Sequence, residues 1–281
     1  MAESSRRTDD PLSRALGLAS AALAEAPAGL LTDFDGTLSP IVADPATSRL
    51  VDGAASTLRA LAEKLAVVAI VTGRAPLDAR RMTGVPELLV AGNHGMEWLE
   101  PGADAPIPSP DAARVRERIA AVLAAVPHVA GVTIEDKGLS ATIHYRTATD
   151  PEAARAEIVA ALPELGPAAE LELRPGRMSL ELRPIGLGDK GVATRTIIER
   201  FGLRGAVVMG DDITDLDMFG AVAERRDAGL LNGVIIGVGG EDGEVPREVR
   251  AAADVVLDSP EAATRFLIAL GGMERTYPKA E

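Results

Sequence analysis

The sequence predicts an α/β protein: a parallel sheet flanked by helices, interrupted once by a smaller α+β module. Three observations predict it. Short, unbroken apolar runs such as VVAIVT (67–72) and AVVMG (206–210) alternate with amphipathic stretches, the pattern of strands buried on both faces. The string PGADAPIPSP (101–110) separates the first such series from a block of different grammar. Within that block LSATIHYR (139–146) and AELELRP (169–175) alternate apolar with polar residues, as antiparallel strands with one open face do.

Taken in order, a helix is expected over roughly 12–25, following Asp9, Asp10 and Pro11 and ended by Ala26-Pro27. GLLTDF (29–34) is the first strand, followed by a helix at 54–65, the strand at 67–72, a helix from Pro76 and the strand ELLVAG (87–92). Pro101, Pro106, Pro108 and Pro110 make the next stretch a linker rather than an element. The block beyond reads helix 111–126, strands 132–136 and 139–146, helix 151–164, and strands 169–175 and 178–184, an αββαββ order. Parallel grammar then resumes with helix 189–201, strand 206–210, a helix through Asp217 and Met218, strand 233–238, a helix near Pro246, strand 254–258 and a closing helix from Pro260. The expected domains are a discontinuous core, 1–107 with 185–281, and an inserted cap, 108–184.

Composition narrows the function. Of 281 residues 47% are hydrophobic, enough for a sizeable core. The 42 acidic against 29 basic residues give a formal charge of −13, which disfavours nucleic acid and anionic membranes as partners. The absence of Cys excludes disulfides, thiolate metal sites and thiol nucleophiles. Four Phe, two Tyr and one Trp leave no stacking platform for single-stranded nucleic acid. The acidic pair and Pro11 between Arg6-Arg7 and the apolar run ALGLASAALA argue for a helix and against an export signal. The expectation is a cytoplasmic monomer acting on a small molecule.

Four segments carry chemistry. Asp33-Phe34-Asp35-Gly36-Thr37-Leu38 follows the first strand, where open α/β sheets bind ligands. Carboxylates at i and i+2 point to the same side of an extended chain, and they repel unless a cation or a proton lies between them. Gly36 and Thr37 can wrap their backbone N–H groups around an anion. Thr72, leading into Gly73-Arg74, offers a hydroxyl at a helix start. Lys190 is a cation at the positive end of a helix dipole, an unfavourable position without an anion nearby. Gly210-Asp211-Asp212-Ile213-Thr214-Asp215 offers three carboxylates, hard oxygen ligands suited to Mg²⁺. Any one of these reads as a surface turn. Four at the strand ends of one sheet point to a site.

These motifs, in this order, resemble those of the haloacid dehalogenase superfamily of aspartate-nucleophile phosphotransferases. More narrowly, DFDGTLSPIVADP, VTGR, GNHGMEW, EDKGLSATIHYR, RPGRMSLELRP, GDKG and GDDITDLDMF resemble the trehalose-6-phosphate phosphatases with an αββαββ cap, over about residues 28–272. The resemblance implies a Rossmann-like core and a Mg²⁺-dependent phosphatase that releases trehalose and phosphate through an aspartyl-phosphate. It implies Asp33 as nucleophile, Asp35 as general acid and base, and Thr72 and Lys190 as binders of the transferring phosphoryl group. It implies Mg²⁺ held by Asp33, Asp35 through its carbonyl, and Asp211, with Asp212 or Asp215 in support. Substrate contacts are expected from Gly36, Asn93 and His94 in the core, and from Glu135, Lys137, Arg146 and Glu181 in the cap, with His144 and Arg177 as further candidates. Two alternatives stay open at this point. One is a phosphatase for another sugar phosphate, such as sucrose phosphate or a mannosyl-glycerate phosphate. The other is a non-catalytic module that accepts phosphate or senses sugar phosphates.

Overall fold

The computed structural model describes residues 10–42, 44–162, 170–176, 178–185, 188–240 and 244–273. Arg177 lies outside the described residues, as do the end of the helix expected to reach 164 and the first residue of the strand expected from 169. The strands in chain order are β1 (Ala28–Thr32), β2 (Val67–Val71), β3 (Leu89–Gly92), β4 (Glu97–Leu99), β5 (Ile107–Pro108), β6 (Thr133–Asp136), β7 (Ala141–His144), β8 (Leu171–Gly176), β9 (Ser179–Pro184), β10 (Gly205–Gly210), β11 (Asn232–Val238) and β12 (Val255–Leu257). The α-helices are α1 (Pro11–Leu23), α2 (Ala54–Lys64), α3 (Pro76–Thr83), α4 (Ala112–Ala125), α5 (Pro151–Ala160), α6 (Lys190–Arg200), α7 (Leu216–Asp227), α8 (Arg247–Ala252) and α9 (Pro260–Gly271). Their starts follow local chemistry: Asp10, Asp150, Asp189 and Ser259 each accept a backbone N–H of the first turn, and a Pro follows three of the four.

The chain divides into two units, one of the residues up to Ile107 and from Asp189 onward, the other Pro108–Gly188. The return thus falls four residues beyond the expected 184, and Ile185 is tied to the second unit by its N–H to the Glu170 carbonyl at 2.8 Å. In the first unit the sheet order is β12-β11-β10-β1-β2-β3-β4-β5, parallel from β12 through β3. The chain steps outward from β1 to β3, then restarts at β10 on the other side of β1. The order therefore reverses between β1 and β10, and the crevice at their carboxyl ends is where such sheets bind ligands. Successive residues face opposite sides: Leu30, Ile70, Val207 and Met209 pack with α1, α2 and α9, while Leu31, Ala69, Val71 and Val208 pack with α6 and α7. Helix α1 belongs to this core, with Ala15, Ala19, Ala22 and Leu23 fully buried.

The second unit is a four-stranded antiparallel sheet in the order β6-β7-β9-β8. Ile143, Leu180 and Leu173 lie on the face that packs with Val122 and Leu123 of α4 and Ala154 and Ile158 of α5. The register sets Glu135, Thr142, Glu181 and Arg174 in one row across the opposite face.

Three elements differ from the sequence reading. Strand β4 runs antiparallel to β3 because Asn93, His94 and Gly95, all at positive φ, reverse the chain between them. The proline-rich string carries the two-residue β5 at a sheet edge, a place that tolerates proline's missing donor. Strand β7 is shorter than 139–146, because Ser140 closes a turn with the Lys137 N–H and Tyr145 begins the next. Among the described residues no helix is long and apolar enough to cross a membrane.

Leu30, fully buried on the central strand β1, is expected to lose about 3 kcal/mol of stability as Leu30→Ala through transfer and cavity costs. Ile107→Ser, at a side chain 59% exposed, is expected to change stability by less than about 0.5 kcal/mol. Urea unfolding of both variants checks this ranking.

Candidate active site

Asp33 continues the β1 ladder by donating its N–H to the Met209 carbonyl of β10 at 3.0 Å, which sets its side chain at the reversal of strand order. Lys190, the first residue of α6, comes up between β1 and β10. Its Nζ lies 2.9 Å from Asp33 Oδ1 and 2.6 Å from Asp215 Oδ1, and all three side chains are nearly sealed from solvent. Asp215 Oδ2 accepts the N–H groups of Asp211 and Asp212 at 2.9 and 3.0 Å. The Thr37 hydroxyl donates to Asp211 Oδ1 at 2.8 Å. Gly36, at φ +77°, lets this loop close, since a Cβ there would come within 2.0 Å of Asp211 Oδ2.

Asp33, Asp211 and Asp215 each present a carboxylate oxygen within 4.8 Å of the others. Burial pushes the Asp33 carboxyl up to about 7 against the opposing pull of Lys190. Burial, reinforced by Asp33 and Asp215, pushes Asp211 up to about 8. Burial works against the Lys190 charge, yet Asp215 and Asp33 hold its pKa above the ordinary lysine range. Three carboxylates beside one ammonium leave two negative charges in excess when all are ionised. A divalent cation that prefers oxygen ligands fits that donor set and that charge.

The sequence-derived candidates fall into three groups. Asp33, Lys190 and Asp211 meet in the buried network. Asp212 does not join it: its side chain is a helix cap that accepts the Asp215 N–H, and Asp215 is the carboxylate inside. Asp35 points instead to Arg74, whose Nε and one terminal nitrogen donate to its two oxygens, both at 2.6 Å. Thr72 is buried at the end of β2, and its hydroxyl accepts the Arg74 N–H at 3.2 Å.

Asn93 and His94 lie against this segment: the Asn93 N–H donates to the Arg74 carbonyl and the His94 N–H to the Thr72 carbonyl. The Asn93 amide donates to Glu97 Oε2 at 2.7 Å. The approach depends on Gly73, where a Cβ would sit 2.7 Å from His94 Nε2. In the second unit Glu135 is exposed, with Lys137 Nζ at 3.7 Å and His144 Nε2 at 3.5 Å. Glu181 is two strands away in the same row, and Arg146 lies beyond the end of β7. Arg74 and Ser48 were not singled out from sequence, and only the position of Arg74 after Thr72 hinted at either. Thr37 was singled out for its backbone N–H, whereas the structure uses its hydroxyl, on Asp211.

The family model described as Trehalose-phosphatase matches residues 31–251, a span that contains every residue of the site described in the paragraphs just above. A trehalose-phosphate phosphatase of Mycobacterium avium is 36% identical over 245 residues, covering 83% of this chain and 59% of that protein. An uncharacterized glycosyl hydrolase of Mycobacterium tuberculosis is 37% identical over 245 residues, covering 84% of this chain but 18% of that protein. The chain thus spans from under a fifth to about three fifths of these relatives. Among solved structures, an Aspergillus fumigatus trehalose-6-phosphate phosphatase aligns with TM-score 0.62 at 26% identity, over 92% of this chain and 97% of that one. The C-terminal domain of the Candida albicans trehalose-6-phosphate phosphatase shares the fold at TM-score 0.67 and 22% identity, over 93% and 97%. On the strength of the family match the chain belongs to the trehalose-phosphatase family.

Proposed function

We propose that the chain hydrolyses trehalose 6-phosphate to trehalose and phosphate through an aspartyl-phosphate on Asp33. The observation that carries this reading is the buried Asp33-Lys190-Asp215 network, with Asp211 beside it, at the reversal point of the sheet. Family membership and the names of the relatives support the substrate. Asp33 would be the nucleophile, and Lys190 would stabilise charge on the transferring phosphoryl oxygens together with Thr72. The Gly36 N–H, expected from sequence to face an anion, instead donates to the Ser39 carbonyl at 2.7 Å. Asp35 would protonate the leaving sugar oxygen and then take a proton from the hydrolytic water. Asp33, Asp211 and Asp215 would hold Mg²⁺, with Asp35 contributing its carbonyl as the resemblance implies. The ion would screen the nucleophile from the phosphate dianion.

Sugar recognition is assigned to the polar face of the second unit, to Glu135, Lys137, Glu181 and Arg146, and to Asn93 and His94. Carboxylates and cations suit the mixed donor and acceptor demands of sugar hydroxyls.

Asp33→Asn is expected to abolish turnover, with a loss of at least about 10³-fold, while substrate binding survives. A quenched-flow and calorimetry pair reads the two, and activity near wild type would remove Asp33 from the nucleophile role. With Mg²⁺ present, a panel of trehalose, sucrose, glucose and mannosyl-glycerate phosphates is expected to favour the trehalose ester by at least about 10-fold in kcat/KM. Equal rates across the panel would reduce the proposal to a general sugar phosphatase.

The raised carboxyl groups also set a pH dependence. Without metal, the folded chain holds protons on Asp33 and Asp211 that the unfolded chain, with its ordinary value of 3.8, has released. Their contribution to stability is full below about pH 4 and is lost as pH rises through about 7 and 8. The Tm of metal-free protein is therefore expected to fall between about pH 5 and 8.5, and Mg²⁺ is expected to raise it while releasing protons. A metal-free Tm that climbs over that range would contradict the assignment.

A further inference from the structure

Arg74 has no part in the reaction as proposed above, yet its side chain is built into the site from several directions. Its Nε and one terminal nitrogen grip Asp35 Oδ2 and Oδ1, both at 2.6 Å. That terminal nitrogen also donates to Ser48 Oγ at 2.9 Å, and the Ser48 hydroxyl donates to Asp35 Oδ1 at 3.2 Å. The other terminal nitrogen donates to the Pro45 carbonyl at 2.9 Å, and the guanidinium carbon lies 5.4 Å from the centre of the Phe34 ring. The Arg74 side chain is 14% exposed and that of Asp35 is 38% exposed. The carboxylate is thus held on one side by a partly buried planar fork and open on the other.

A fork of this kind fixes the plane and the position of a carboxylate, which a lysine cannot do. Asp35 needs that help. It lies past the end of β1, in the turn before Gly36, where one isolated backbone bridge to Ser39 holds the main chain and leaves the side chain to be fixed by its own partners.

We propose that Arg74, seconded by Ser48, is the positioning residue for Asp35. The proposal rests on the phosphatase reading. In the first half-reaction Asp33 bonds to phosphorus, the bond from phosphorus to the sugar oxygen breaks, and that oxygen takes a proton from Asp35. In the second half, water bonds to phosphorus, its proton goes to Asp35, and the bond from phosphorus to Asp33 breaks to release phosphate. Both transfers require an Asp35 oxygen within hydrogen-bond reach of a particular atom, so a loosened carboxylate slows them without altering phosphate binding.

The test compares trehalose 6-phosphate with p-nitrophenyl phosphate, whose leaving group departs without a proton. For Arg74→Ala, kcat on the sugar ester is expected to fall about 100-fold with KM within about 3-fold. Single-turnover release of nitrophenolate, which reads the first half-reaction alone, is expected to stay within about 3-fold of wild type. Ser48→Ala should show a milder version of the same split, and Arg74→Lys should restore only part of the loss.

Parallel losses of single-turnover rate on both esters, or a rise in KM for both as a phosphate-binding arginine would give, overturn the proposal. Should Arg74→Ala fail to fold by circular dichroism, Arg74→Lys and Ser48→Ala decide by the same split. A wild-type chain that turns over neither ester overturns the phosphatase reading and the clamp with it; an active wild type with parallel losses overturns the clamp alone.

Discussion

The ion pairs of Lys190 with Asp33 and Asp215 constrain the whole catalytic end of the first unit. A lysine at the start of a helix opposes the helix dipole, and a buried ammonium opposes its own desolvation. Two carboxylates offset both effects, one following β1 and one following β10. Removing either partner from such a buried group typically costs about 3–5 kcal/mol, so the network tolerates little change around it. It also explains why β1 and β10 must be neighbours in perfect register, from Ala28 opposite Gly205 to Thr32 opposite Met209. Any slip would carry Asp33 away from the ammonium, and a one-residue slip would exchange the side chains that the two helical layers are packed against.

The same network leaves unbalanced charge. Once Lys190 has neutralised one of three carboxylates, the pocket holds either protons or a cation, and the raised Asp33 and Asp211 pKa values express that choice in metal-free form. The global charge of −13 would repel an anionic substrate, but much of the local repulsion resides in residues that a divalent ion neutralises. Around this centre small residues and hydroxyls provide shape. Gly36 makes room for Asp211, Gly73 makes room for His94, and the Thr37 hydroxyl fixes one Asp211 oxygen.

The second unit is organised by a different rule. Its antiparallel strands bury Ile143 and Leu180, with Leu173 packed partly buried beside them, beneath α4 and α5, so the alternate residues form a polar row. Thr142, 9% exposed, stands between the taller Glu135 and Glu181 on neighbouring strands, which gives that row a low centre between two carboxylates. Successive members of that row stand about 4.8 Å apart, the spacing of neighbouring strands.

Sequence alone determined the elements whose cause is local. The doubly buried strands were legible because each is an unbroken apolar run, and several helix starts because a proline opens them, as at Pro76, Pro151 and Pro260. Asp33, Thr72, Lys190 and Asp211 were legible because each stands at a strand end or helix start. What only the tertiary structure decided are relations between segments distant in sequence. Asp215 rather than Asp212 turns inward because the loop after β10 caps itself with Asp212. Arg74 grips Asp35, 39 residues away, and Thr37 meets Asp211, 174 residues away, because strand order places those strand ends together. Strand β4 forms because a left-handed turn at Asn93 and His94, stabilised by backbone bonds to Thr72 and Arg74, folds three residues back onto β3. Local pattern carries propensity and periodicity along the chain; which side chains meet depends on the order in which the strands are laid down, and that is a property of the folded sheet.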